Sequence, residues 1–476
     1  MTTHWLDWLS NSEDQALALI DAHEQVTYAL LRSQVGMVAQ QLYDEFGDGG
    51  FLLLRAESSV RFVVTLLGIM QSGNVPIPVA SDLPAEDIDY ICKKSCAKGV
   101  LAPLSTAEFD QRSSLDARRV DLPALIMFTS GTTGYPKGVI ISHANLRHSC
   151  AAMADYLRYR EYPSAAVVLP LHYSYALLSQ VLCQLSIGGR VALFENFRNP
   201  IKFARRVTEL ELQTFCGVPS TYVALTTVHA MSKLAMPSVR VICSAGAAMH
   251  RGRFEQVKEI FPQATFYNNY GMTEAAPRIA YIREDDPRFE QPTCGRPMPG
   301  VEVRVVDRDT YQSLPNGEYG VLVVRGPNIT SGYLNDAELT EKAFTPDGYL
   351  ISGDIAHLDE GYIYVHGRAD DIFNVAGEKV SPLEVERPLN QIVGVESAAV
   401  VGIPDPQRGM VPVAFLKLSR PLDRRALLEA LRGHLPSIKV PQRYFEVRRF
   451  PLTANGKLRR QDLSVDNSEF VVREIV

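Results

Sequence analysis

The densest chemistry in the chain lies between Phe128 and His143, FTSGTTGYPKGVIISH. Three glycines, a run of Thr and Ser hydroxyls and Lys137 fall within ten residues, directly after an apolar stretch. Glycines let backbone N–H groups turn towards an anion, hydroxyls add donors, and a lysine adds a point charge. That is the composition of a loop that cradles phosphate. It is not the Walker arrangement, because Lys137 is followed by Gly138 where that pattern needs Ser or Thr. A plain Gly/Ser turn between strands has the same composition, so the segment alone leaves both readings open.

The flanking pattern says what must position such a loop. From about residue 50 to 290, short apolar runs alternate with helix-like stretches. FLLLR at 51–55 precedes the helical SVRFVVTLLGIMQSG, and ALIMF at 124–128, AAVVL at 165–169, RVALF at 190–194 and VRVICSAG at 239–246 repeat the theme. Such runs predict a largely parallel sheet covered on both faces. After Pro292, VEVRVVD, GVLVVRG and GYIYVHG alternate with period two around turn residues, as antiparallel hairpins do. Beyond Asp370 the pattern predicts a helix over 382–392 with its start signal at Ser381, strands in AAVVGI and VPVAFLKL, and an amphipathic helix over 423–435. The border is placed in GRADD, 367–371.

Composition narrows the class. At 476 residues the chain buries more than one core, and 46% hydrophobic with 21% charged residues is ordinary globular usage. A net charge of -6 gives no broad footprint for nucleic acid. Seven scattered cysteines point to a reducing compartment rather than a disulfide framework. Cys92 and Cys96 lie a helical turn apart with no second pair nearby, so they are read as packing residues, not zinc ligands. The N-terminus lacks a signal-peptide pattern, and Val60 to Met70 is too short for a membrane span and interrupted by Arg61 and Thr65. A cytoplasmic protein is expected.

The order of residues in TSGTTGYPKG resembles the signature of the AMP-forming acyl/aryl-CoA synthetase, adenylation-domain and luciferase superfamily. Further segments follow in that family's order: NNYGMTEA at 268–275, YLISGDIAHLDEGYIYVHGRADD at 349–371, VAGEKVSPLEVE at 375–386 and PLTANGKLRR at 451–460. Weaker matches, VTYALL at 26–31 and LGIMQSGNVPIPV at 67–79, extend the resemblance over nearly the whole chain. It implies an α/β fold with a large N-terminal domain, 1–369, of mostly parallel sheets flanked by helices plus a small β-barrel-like part. A small mobile α+β C-terminal domain, 370–476, would follow, hinged at Asp370.

The resemblance also implies roles. Thr129, Ser130, Gly131, Thr132, Thr133, Gly134 and Lys137 would hold the departing phosphates of ATP. Thr273 would bond the α-phosphate, and Glu274 would hold Mg2+, a hard cation that prefers carboxylate oxygen. Gly246, Ala247, Ala248, Asn269, Tyr270 and Gly271 would flank adenine, and Asp354 with Arg368 would hold the ribose. Lys457 would neutralise charge in the adenylation step, and Gly377 would admit a pantetheine arm after the small domain swings. Members commonly show two glycines before the Glu of that last segment, whereas Ala376 precedes Gly377 here.

LPLHYSYALLSQ at 169–180 matches the region where the family often places a histidine, here His172, beside the acid's carboxylate. The candidate acid pocket is Tyr173, Tyr175, Gly217, Val218, Ser244 and Asn268, with Pro219 and Tyr222. Relatives that activate α-amino acids place an Asp near this region; Tyr173-Ser174-Tyr175 carries none, and an unpaired buried ammonium is costly. A fatty, aryl or other neutral acid is therefore favoured. The expected reaction joins that acid to coenzyme A through acyl-AMP. The alternative is loading of a separate carrier protein, since no Gly-Gly-His-Ser site for a phosphopantetheine arm is found. Arg424-Arg425, Arg448-Arg449 and Arg459-Arg460 read as solvated faces.

Overall fold

The computed structural model describes residues 4–105, 115, 117–129, 136–195, 197, 199–246, 254–452 and 458–476. They divide into two compact units, residues 1–303 with 324–350, and residues 304–323 with 351–476.

The first unit is built on a nine-stranded sheet. Its order is Arg296–Pro297, Ala280–Arg283, Thr265–Tyr270, Val241–Ser244, Thr214–Gly217, Ser164–Val167, Arg190–Leu193, Leu17–Ile20 and Gln25–Thr27. From Thr265–Tyr270 across to Leu17–Ile20 every pairing is parallel, and the pairings towards either edge are antiparallel. Thr214–Gly217 and Val241–Ser244 are buried at every residue, as strands covered on both faces must be. The helix Pro219–Ser232 begins where its strand ends, with proline in its first turn. Phe203, Phe215, Tyr222, Phe261 and Phe266 pack into one buried cluster against the sheet. Each such side chain stabilises the fold by about 2–3 kcal/mol through burial.

A second, three-stranded parallel sheet runs Val75–Ala80, Phe51–Ala56, Gly99–Leu101. The helix Val60–Gln71 follows its first strand and starts at Ser59, whose side chain accepts from the Phe62 N–H. ALIMF departs from the expected parallel theme. Leu125–Thr129 pairs antiparallel with Lys137–Ile141 in a two-stranded hairpin. The link 130–136 is the reason, because a parallel crossover needs about a dozen residues or more. Among the described residues no helix is long and apolar enough to cross a membrane. The cysteines are all free thiols, and Cys96, rather than packing, is exposed and ends the helix Ala85–Ser95 at φ 53°.

The second unit carries the hairpins after Pro292 as a four-stranded sheet, Glu302–Val306, Gly320–Arg325, Leu350–Asp359, Tyr362–Arg368. A six-stranded sheet follows, centred on Gly409–Leu418, which pairs with Val395–Asp405 and Arg443–Val447. The helices Pro382–Leu389 and Arg424–Leu431 cover it, burying Val385, Leu389, Leu427 and Leu431 against Val400, Leu416 and Tyr444. Both helices are shorter than expected. Asp423 caps the second by accepting from the Ala426 N–H at 2.7 Å. Ser381 precedes the first but does not cap it, because its hydroxyl donates to the His366 carbonyl instead.

Candidate active site

Parallel register lines up the first set of candidates. Gly217 pairs with Ser244, and Ser244 with Asn268, so all three sit side by side, Gly217 and Ser244 as the last residues of their strands and Asn268 two residues before the carboxyl end of its own. Open α/β sheets bind ligands at these ends. Asn269 and Tyr270 finish the third strand, and Gly271 begins a tight return. A Cβ on Gly271 would lie 2.0 Å from the Pro277 carbonyl, so only glycine fits there. Asn328 pins this return by donating to the carbonyls of Ala275 and Arg278, at 2.9 and 2.7 Å. Thr273 and Glu274 are thereby held in a short 3-10 turn, Thr273–Ala275. The Ser174 and Thr273 hydroxyls are 2.9 Å apart.

Lys137, at the far end of the glycine-rich segment, meets the same turn. Thr129 and Lys137 are the last paired residues of its hairpin. Lys137 Nζ lies 2.9 Å from Glu274 Oε1 and donates to the Tyr333 hydroxyl at 2.8 Å. Tyr333 in turn donates to Glu274 Oε1 at 3.0 Å, with Lys137 Nζ 4.5 Å from the centre of its ring. The sequence analysis missed Tyr333. Its place is set by the backbone, since Leu334 N donates to Gly138 O at 2.8 Å and Ile140 N to Gly332 O at 3.1 Å. Thr129 Oγ1 is buried and has no hydrogen-bond partner among the described residues. A buried hydroxyl lacking an acceptor, an ammonium and a buried carboxylate together form a donor set that fits phosphate oxygen and a hard cation. Ser130, Gly131, Thr132, Thr133 and Gly134 lie outside the described residues.

The acid-pocket candidates flank the strand row. Tyr175 and Tyr222 both donate to the Cys243 carbonyl, at 3.4 and 2.6 Å. Gly246 turns with φ 86°, and a Cβ there would come within 3.6 Å of Val218. Ala247 and Ala248 lie outside the described residues. His172 packs on Tyr173 with ring centres 3.9 Å apart, and burial lowers its pKa to about 4, against a small opposing pull from Asp82. The imidazole is therefore neutral at pH 7, and it makes no hydrogen bond among the described residues. It does not join Thr273, Glu274 and Lys137. Asn269 accepts from the Tyr156 hydroxyl at 2.9 Å, while Ser244 Oγ is buried without a partner among the described residues.

In the second unit Asp354 and Arg368 face each other across the antiparallel pair Leu350–Asp359 and Tyr362–Arg368. Arg368 donates to Asp354 at 3.3 Å and to the Ser352 carbonyl at 2.8 Å. Gly353, at φ 76°, leaves room for that guanidinium, which would lie 2.6 Å from a Cβ. Asp370 is exposed in the turn after Arg368. Ala376 and Gly377 form a two-residue turn between Phe373–Val375 and Glu378–Val380, with φ of 48° and 93°. Alanine thus takes the left-handed shape that the usual glycine would. Lys457 lies outside the described residues, and its segment is bracketed by the paired Leu452 and Leu458. Arg460, read as solvated, is instead largely buried. It grips Glu386 with both terminal nitrogens and donates to the Val400 carbonyl at 2.9 Å.

Comparison with known proteins gives the family. The chain matches the AMP-binding enzyme family over residues 6–121 and 105–334, and the C-terminal domain of AMP-binding enzymes over 384–457. It is 29% identical over 421 residues to a 4-coumarate–CoA ligase of Pinus taeda, spanning 85% of this chain and 76% of that one. ATP-bound MatB from Rhodopseudomonas palustris superposes with a TM-score of 0.86 at 25% identity, covering 97% of this chain and 98% of that one. The o-succinylbenzoate coenzyme A synthetase of Bacillus subtilis, in complex with ATP and magnesium, gives 0.84 at 25% identity over 97% and 99%. The chain belongs to the AMP-binding enzyme family, the AMP-forming acyl/aryl-CoA synthetase and adenylation superfamily, and is an AMP-forming carboxylate–CoA ligase.

Proposed function

We propose that the chain activates an aryl or fatty acyl carboxylic acid in the cytoplasm and passes it to free coenzyme A. The observation that carries this reading is the juxtaposition of the strand-end row, Gly217–Ser244–Asn268, with the Lys137–Glu274–Tyr333 cluster through the Thr273 turn. One wall is mostly apolar with a few hydrogen-bonding tips, which suits an acyl group, and the other concentrates groups for phosphate.

The acid's carboxylate oxygen attacks the α-phosphorus of ATP, the bond to pyrophosphate breaks, and acyl-AMP forms. Catalysis here is positional and electrostatic. Thr129 and Lys137, with Ser130, Gly131, Thr132, Thr133 and Gly134, orient the departing phosphates, and Thr273 donates to the α-phosphate. Glu274 would hold Mg2+, which supplies positive charge at the phosphate oxygens. Gly246, Ala247, Ala248, Asn269, Tyr270 and Gly271 bound the adenine. Asp354, held in place by Arg368, accepts from the ribose hydroxyls. Lys457 bridges the carboxylate and α-phosphate. His172, kept neutral by burial, lies beside the acid without carrying charge. A swing about Asp370 then brings Gly377 to the thiol channel, where the thiol attacks the acyl carbon and AMP leaves.

The test is acid-dependent pyrophosphate release from ATP over aryl, short, medium and long acids, each with and without coenzyme A. Release from one acid class, accelerated by coenzyme A, supports the reading. A single-turnover burst that coenzyme A leaves unchanged would replace it with loading of a separate carrier protein.

A further inference from the structure

Beside the acid pocket lies a cation that the reaction as described does not use. Arg278 is 2% exposed, the largest fully buried side chain of the first unit. Its backbone is fixed on both sides: its N–H donates to Ala275 O at 3.0 Å, and its carbonyl accepts from Asn328 at 2.7 Å. Its guanidinium carbon lies 5.3 Å from the centre of the Tyr175 ring, a wall of the proposed pocket. No carboxylate pairs with it among the described residues, and its Nε has no hydrogen-bond partner there. Partly buried lysines elsewhere in the first unit do have carboxylate partners, such as Lys258 with Glu284 at 3.0 Å and Lys137 with Glu274 at 2.9 Å.

A buried guanidinium is ordinarily held by an anion, because desolvating it alone is expensive. The charged or titratable neighbours of Arg278 are Tyr156, Tyr175, Cys216 and Cys243. Burial pushes both phenols up, so neither is an anion at neutral pH. A flat fork of donors is the group that receives a carboxylate in a bidentate grip.

Resting on the reading of the acid pocket given above, we infer that Arg278 receives a second carboxylate on the substrate, so that the acid activated is a dicarboxylic acid whose far end docks on Arg278. The absence of an acid at Tyr173-Ser174-Tyr175 disfavours a substrate ammonium, and Arg278 adds a preference for the opposite charge. The specificity would thus be set by sign as well as by shape.

The experiment compares acids of equal skeleton, hexanoate with adipate and 4-methylbenzoate with terephthalate, by ATP–pyrophosphate exchange in the full chain. The wild type, Arg278→Met, Arg278→Lys and Cys216→Ala are assayed alongside. The expected result is a wild-type preference for the diacid that Arg278→Met lowers by about 100-fold or more in kcat/KM, mainly through KM. The monoacid should be unchanged or improved, Arg278→Lys should keep part of the preference, and Cys216→Ala should keep it all. Exchange with monoacids as good as with diacids in the wild type overturns the inference and leaves the ligase standing. So does an equal loss for both members in Arg278→Met, which would make the arginine a structural group. Loss of the preference in Cys216→Ala would assign the counter-charge to that thiol and likewise overturn it. Exchange with no acid of any class overturns the ligase reading itself.

Discussion

The two units hold their candidate residues on different kinds of backbone. In the first, Gly217 and Ser244 end neighbouring parallel strands beside Asn268, and Glu274 sits buried in a turn pinned by Asn328. In the second, Asp370 and the pair Ala376–Gly377 occupy exposed turns, and only Asp354 and Arg368 share a ladder. Strand ends are positioned by a whole core, so a side chain there can change without moving its neighbours. A turn is positioned by two or three dihedral angles, and changes there act on backbone shape first. The contrast suits the reading proposed above, with the groups for adenylation on a strand frame and those for the thiol step on turns.

The largest test of that contrast is Lys457→Ala. It should lower adenylation by at least about 100-fold, the scale of losing one donor aimed at developing charge. Thioester formation from supplied acyl-AMP should persist. Equal damage to both half-reactions would remove the division of labour between the units. Glu274→Gln should come next, with pyrophosphate exchange falling about 100-fold and the Mg2+ requirement rising. The thermal midpoint should move little, because Lys137 keeps Tyr333 as a partner and reaches solvent. A large fall in the midpoint would show that the strand-end frame is less rigid than its burial implies.

Arg460→Met probes the second unit's own core. It leaves the Glu386 carboxylate buried beside Val400, which should cost about 3 kcal/mol in denaturant unfolding. Adding Glu386→Leu should restore most of that loss. No recovery in the double variant would mean that Arg460 works through its bond to the Val400 carbonyl instead.

These residues also mark what the sequence could and could not tell. The five ordered segments carried the family, and the alternation of apolar runs carried the parallel sheet, because both are local properties of the chain. The hairpin at Leu125–Ile141 was misread although its signal was present, since the link 130–136 is too short for a crossover. Tyr333, Arg278 and Arg460 were a different matter. Tyr333 lies 196 positions from Lys137, and Arg460 lies 74 from Glu386, so no window along the sequence joins them. An arginine's burial depends on what folds over it, and an isolated Arg reads as surface by default.

The pH response separates the units again, with a smaller effect. Burial lowers the His172 pKa to about 4 from its ordinary 6.5. Its share of stability is complete above pH 6.5 and lost as pH falls towards 4, where the unfolded chain binds the proton more readily. The size is about 3–4 kcal/mol at most. His172→Gln should flatten that part of the first unit's acid limb, while the same fall driven by His366, also near 4, continues in the second. Unfolding followed by tryptophan fluorescence, which reports Trp5 and Trp8 in the first unit, checks it.

Ala376→Gly is the smallest and the most diagnostic change. Ala376 is held at φ 48° by the two-residue link between paired Val375 and Glu378, with its N–H bonded to Arg408 O at 2.8 Å. A left-handed alanine costs roughly 1–2 kcal/mol, and glycine removes that strain but loses about 0.5–1 kcal/mol more entropy on folding. The net gain should be below about 1 kcal/mol, read as a slightly higher denaturant midpoint. Nothing stands within 4 Å of a Cβ on Gly377, so Gly377→Ala meets no clash and pays only for its φ of 93°. Gly271→Ala is the opposite case, where the backbone of Pro277 blocks the new atom outright. If the turn is governed by dihedral preference alone, Ala376→Gly and Gly377→Ala should move stability in opposite directions and leave adenylation untouched. A change in adenylation from either would tie this surface turn to the first half-reaction and erase the distinction between the two kinds of backbone.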